Sequence, residues 1–144
     1  MKRIQKQMAT KITNIRPAGA FDQVVTVEGG KGCYRKTPCK GCPWVKENAG
    51  SFPPDAFKHS ANTAHDMSNH RFGCHESGAE KPATCAGFLL RGADHNLAIR
   101  LDILRGRINP LAIHDDGREL FRSYRDMAVE NGVREDDPAI AACR

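Results

Sequence analysis

Four of the six cysteines of this chain fall between residues 39 and 85, in the blocks Thr37-Pro38-Cys39-Lys40-Gly41-Cys42-Pro43-Trp44, Gly73-Cys74-His75 and Thr84-Cys85-Ala86-Gly87. In a Cys-x2-Cys turn two sulfurs can approach one ion. The two intervening residues, here Lys40 and Gly41, let the backbone reverse while its amides face the thiolates. Cys74 and Cys85 arrive from later in the chain, so an ion gripped by both pairs would close a long loop. The pattern predicts a tetrahedral centre with Cys39, Cys42, Cys74 and Cys85 as ligands. His75, and His70 four residues before Cys74, are second-rank ligands. Cys33 lies outside the tight pair and reads as a spare thiol, and Cys143, alone near the end, is given no role. Disulfides fit poorly, because Met1 to Gln7 carries charge with no apolar signal core behind it.

Four thiolates suit a closed zinc site and a four-iron iron-sulfur cluster alike, so Zn2+ and a 4Fe-4S cluster both stand. The single Cys-x2-Cys pair in a small polar chain favours zinc. Catalytic zinc keeps a coordination position open, and four protein ligands leave none, so the centre reads as structural. The fragment Pro38-Cys39-Lys40-Gly41-Cys42 matches half of a zinc-deaminase signature, but no His-x-Glu lies upstream. Adjacent residues of an extended segment point to opposite faces, which argues against a Cys74-His75 nucleophile pair.

A chain of 144 residues with only 6% aromatic content is one domain's worth, and a metal cross-link would supply stability that burial alone does not. No apolar run is long enough to span a bilayer, and a cytoplasmic protein without membrane contact is expected. The net charge of +5 is unevenly placed. Residues 1–46 hold ten Lys and Arg against Asp22 and Glu28, whereas the remainder holds twelve bases against fifteen acids. A basic front of this kind is the footprint of a nucleic acid or an acidic protein partner, or else a solvated lysine-rich arm. The contacts it offers are Lys31, Arg35, Lys36, Lys40 and Lys46, with Trp44 as a stacking or packing aromatic.

The local pattern predicts a small α+β domain, with one short sheet and three or so helices organised around the four-cysteine site. Residues 1–30 form a basic arm and first strand, 31–109 the Cys-rich module with its following helix, and 110–144 a last helix and tail. Val24 to Val27 is the best strand. Pro54 opens a short helix with Phe57 facing inward. Asp94 is expected to cap a helix to about Arg105 whose apolar stripe is Leu97, Leu101, Leu104 and Ile108. Asp116 to Glu119 has capping-box spacing for a helix bearing Leu120, Phe121, Tyr124, Met127 and Ala128, ended by Gly132. From Val133 onward the composition suggests a weakly ordered tail.

Taken in order, Pro38-Cys39-x2-Cys42-Pro43-Trp44, Gly50-Ser51-Phe52, Phe72-x-Cys74-His75, Cys85-Ala86-Gly87-Phe88 and Leu97-Ala98-Ile99-Arg100-Leu101 resemble a domain-of-unknown-function family of small Cys-rich proteins of bacteriophages and their bacterial hosts. The resemblance covers about residues 37–102. It implies a phage-type protein, active in the cytoplasm of a bacterial host, that binds nucleic acid or a host protein and modulates a host or defence function. The expectation is therefore a non-enzymatic, metal-stapled binding protein. Two alternatives remain: a metal-dependent hydrolase or nuclease with an open zinc site near His70, His75 and Glu76, and an iron-sulfur redox or sensor protein.

Overall fold

The computed structural model describes the backbone of residues 11–17 and 23–28 and, with their side chains, residues 33–74, 76 and 83–144. Two antiparallel strands, β1 (Lys11–Pro17) and β2 (Gln23–Glu28), pair with Ile15 opposite Val25 and Lys11 opposite Glu28. Four short helices follow: α1 (Pro54–Ser60), α2 (Ala86–Arg91), α3 (Leu97–Leu104) and α4 (Tyr124–Glu130). Between them the described chain runs in turns, 3-10 segments and isolated bridges. Among the described residues no helix is long and apolar enough to cross a membrane.

One core cluster extends from Cys39 to Cys143, and Trp44 is at its centre with no exposed surface. The indole meets Phe72 and Tyr124 edge-on, with ring centroids 5.8 and 5.9 Å away, and Phe88 at 6.4 Å. Two glycines make room for it. A Cβ at Gly87 would fall 2.5 Å from Trp44 Cβ, and one at Gly92 would lie 2.8 Å from the ring's Cζ2. Gly87 in the first turn of α2 and Gly92 at its end are therefore steric necessities.

Phe57 faces the core from α1, whose first residue is Pro54, as its sequence implies. Tyr124 from α4 closes that contact: its hydroxyl bonds the Phe57 carbonyl and lies 2.7 Å from Ser60 Oγ.

The inward face of α3 differs from the expected leucine stripe. Of the expected stripe Ile108, past the helix end, is buried, but Leu104 is 82% exposed, and the buried positions within α3 are Ile99 and Asp102. Asp102 forms ion pairs with Arg71 at 2.5 Å and Arg107 at 3.7 Å, so a long-range ionic partner sets the rotation of the helix. The cap also moves, from Asp94 to Asn96. The Asn96 side chain accepts the Ile99 N–H and donates to the Thr63 and His70 carbonyls, a double role that the exposed Asp94 does not fill.

The last helix begins later than its capping-box spacing suggests. Asp116 and Gly117 both have positive φ and form a turn, so Leu120 and Phe121 are extended and buried, and Ser123 caps α4. Leu120 bridges Val45, with Lys46 N–H bonded to the Glu119 carbonyl and Phe121 N–H to that of Trp44. Gly132, at φ +99, follows α4 as expected.

The expected loose tail is part of the core. Val133, Ile140 and Cys143 are buried, and Arg125 donates to the carbonyls of Glu135, Ile140 and Cys143. Cys143 Sγ lies 3.4 Å from the Ala61 carbonyl.

Two measurements follow from this packing. Gly87→Ala would gain about 1 kcal/mol in helix propensity, but it would drive a methyl into an atom fixed to the backbone, at about 3 kcal/mol. A net loss of about 2 kcal/mol in urea denaturation is expected, whereas Gly73→Ala, which meets nothing within 4 Å, is expected to be near neutral. Burial raises Cys143 from 9.0 to about 11, with Arg125 opposing. The fold thus favours the protonated thiol. That contribution is complete below pH 9 and lost as the pH rises through 11, so Cys143→Ala should flatten this part of the alkaline stability profile.

Candidate metal centre

Each cysteine pair is placed by its own short-range structure. Cys39-Lys40-Gly41-Cys42 reverses direction with the Cys42 N–H bonded to the Cys39 carbonyl at 3.1 Å. Segments 72–74 and 83–85 lie antiparallel around a Gly73–Thr84 bridge, with Cys74 N–H on the Ala83 carbonyl and Cys85 N–H on that of Phe72. Residues opposite each other across such a pair, and residues two apart along a strand, share a face. Cys74 and Cys85, diagonal across the bridge, therefore project to the same side. Thr84 is held from its other side as well: its N–H bonds the Cys33 carbonyl, and its own carbonyl accepts the Arg35 N–H.

The two pairs meet. Cys39, Cys42, Cys74 and Cys85 are all buried, and none is in a disulfide. Cys42 Sγ and Cys85 Sγ are 3.7 Å apart. Cys42 and Cys74 both act on the titration of the Cys39 thiol, which puts all four sulfurs in one neighbourhood. A disulfide requires about 2.05 Å between sulfurs. Two thiolates on one tetrahedral zinc, each about 2.3 Å from the ion, lie about 3.8 Å apart. The Cys42–Cys85 separation matches the second value. Among the described residues no group of three or more Cys, His, Asp or Glu side chains is arranged to hold a metal ion.

The two sulfurs of the Cys-x2-Cys turn are both held toward the protonated form. The Cys39 thiol is raised well above the ordinary thiol value, first by its hydrogen bond with Cys42 and then by burial. For Cys42 the hydrogen bond with Cys39 pulls downward, but that with Cys85, together with burial, pushes it up to about 12. Backbone N–H groups of Trp44 and Glu76 bond the Cys42 and Cys39 sulfurs and favour the thiolates. Clustered thiolates in a dry site repel one another until a cation joins them.

Two residues that sequence reasoning did not single out hold the turn. Arg118 donates to the Cys39 carbonyl at 2.6 Å and the Lys40 carbonyl at 2.9 Å, and reaches Glu47 at 3.4 Å. Asn48 donates to the Lys40 and Cys42 carbonyls. Neither carries a local signal, because Arg118 comes from 79 residues beyond Cys39.

The other expected site residues are dispersed. His70 is half-buried, with its N–H on Ser68 and its carbonyl on Asn96, and it takes no part in the described thiol contacts. His75 and Lys31 lie outside the described residues. Lys36 and Lys40 are exposed, Arg35 bonds the Thr37 carbonyl, and Lys46 pairs with Glu119 at 2.9 Å. Trp44, considered for stacking on a base, is fully buried and cannot reach one.

Residues 34–144 match the model of a family of unknown function (DUF6283), and the chain belongs to that family. The match runs past residue 102 through the last helix and tail, in keeping with their place in the common core. No curated protein and no solved structure matches the chain.

Arg118→Ala should lower stability by about 1.5–3 kcal/mol, the loss of charged hydrogen bonds to two carbonyls. Arg118→Lys should recover only part of it, since an ammonium cannot span both acceptors as a planar guanidinium does. An unchanged urea midpoint in the alanine variant would contradict the clamp.

Proposed function

We propose that this DUF6283 member is a non-enzymatic binding protein in which Cys39, Cys42, Cys74 and Cys85 hold one structural zinc ion. The observation that carries this reading is the 3.7 Å separation of Cys42 and Cys85 Sγ, with the Cys39 and Cys74 thiols buried in the same neighbourhood. In a four-iron cluster each cysteine binds a different iron, which spreads the sulfurs wider than the edge of a single-ion site. The spacing therefore favours one ion. Four sulfur ligands also fill its coordination, so no position is left for a substrate, and Glu76 offers its backbone N–H to Cys39 while its side chain is exposed.

The zinc-stapled turn presents Lys40 to solvent, with Lys36 exposed close by in sequence and most of the chain's basic excess before residue 46. The partner that fits is the phosphate backbone of a nucleic acid. With Trp44 buried, recognition there rests on charge, which makes it salt-dependent and tolerant of sequence. The resemblance to Cys-rich phage and bacterial proteins gives this reading its setting, the bacterial cytoplasm, and a role toward host or defence components.

Structural zinc contributes about 10–16 kcal/mol in zinc-finger peptides, comparable to the whole net stability of about 5–15 kcal/mol of a domain. One zinc per chain is expected by metal analysis, and strong chelation should shift the emission of Trp44, the single tryptophan, to the red. Chelated protein with unchanged emission and no stoichiometric metal would overturn the zinc reading, and a visible band near about 400 nm would replace zinc by a cluster. In gel-shift titrations, retardation should fall steeply with salt and be reduced in Lys36→Glu and Lys40→Glu. No retardation at low salt would remove nucleic acid and leave an acidic protein face as the partner.

A further inference from the structure

Most arginines with a described partner are engaged with acids or carbonyls. Arg71 and Arg107 meet Asp102, Arg118 and Arg125 hold backbone carbonyls, and Arg134 pairs with Asp136. Arg91 and Arg122 differ. Among the described residues neither has an acidic partner, yet both line one cleft of about 160 Å³, Arg91 from the end of α2 and Arg122 from just ahead of α4. Arg144 lines the same cleft while bound through two nitrogens to Asp66 at 3.1 and 3.0 Å. His95 and Ser123 add polar groups, and Asp94 is the one acid in the lining. The Ser123 oxygen accepts the Asp126 N–H, which leaves its own proton to donate. Behind them stands buried Tyr124, fixed by Ser60 and Phe57.

Two unpaired guanidiniums on one small cleft repel each other, and an anion between them turns that repulsion into attraction on both sides. Guanidinium forks match the oxygen spacing of tetrahedral oxyanions, and the cleft has room for one with its first waters. We infer that the cleft formed by Arg91, Arg122 and Arg144 binds a phosphoryl group, either free phosphate or the phosphate of a small phosphomonoester. It shares no lining residue with the thiol centre, so the inference stands independently of the zinc reading. Arg100 and Arg105 are exposed and also without a described acidic partner, but they are not part of this cleft.

The test is isothermal titration of the full chain, at low salt, with inorganic phosphate and with a nucleoside 5′-monophosphate. Saturable binding is expected, weakened about tenfold by Arg91→Gln or Arg122→Gln and unchanged by Arg100→Gln. Circular dichroism and melting temperature should match the parent in all three variants, since the substituted side chains are exposed. Tighter binding of the ester assigns the site to a phosphomonoester, and equal binding assigns it to free phosphate. Absence of saturable binding by either probe overturns the inference, as does a folded Arg91→Gln/Arg122→Gln double variant that binds like the parent.

Discussion

The contact between the Trp44 side chain and the two glycines of α2, Gly87 in its first turn and Gly92 at its end, fixes where the sulfurs can be. Trp44 is two residues past Cys42, and α2 starts directly after Cys85, so seating the ring against Gly87 and Gly92 presses the turn of the first cysteine pair onto the last cysteine. Phe72, two residues before Cys74, stacks on Phe88 with centroids 6.0 Å apart and meets Trp44 from the side. Each part of the thiol group is thus tethered to an aromatic residue two or three positions away, and those rings form a single packed cluster. The sulfurs are brought together by the hydrophobic burial of the rings.

Features with a local cause were legible in the sequence. The Cys-x2-Cys reversal, the β-branched run Val24 to Val27 within β2, Phe57 behind Pro54 and the stop at Gly132 need only neighbouring residues to explain them. Those that failed depend on distant partners. The face that α3 turns inward is chosen by Arg71, about thirty residues upstream, through Asp102, and no periodicity of leucines could report that. The same holds for the tail, whose few apolar residues looked insufficient until Arg125 supplied bonds to three of its carbonyls. Trp44 was ambiguous for a related reason: its burial is written in two glycines more than forty residues away.

The distribution of charge is also altered by folding. A count of bases overstates the cationic surface, because Arg118 and Arg125 work as hydrogen-bond donors to the backbone and Arg71 neutralises a buried carboxylate. Even within the basic front, Lys46 is matched by Glu119. Among the described residues, those left without an acidic partner include Lys36 and Lys40 beside the thiol turn and Arg91, Arg100, Arg105 and Arg122 around α2, α3 and the start of α4. Charge that folding leaves unmatched is more informative about partners than net charge, since paired groups have little left to offer a ligand.

Burial of Ile140 and Cys143 has a consequence for biosynthesis. A core that includes Ile140 and Cys143 cannot close until the segment that carries them has left the ribosome. The cysteine pairs lie well upstream of that segment, whose Cys143 Sγ sits 3.4 Å from the Ala61 carbonyl. A nascent chain stalled before residue 140 would lack this part of the core and display apolar surface to chaperones and proteases.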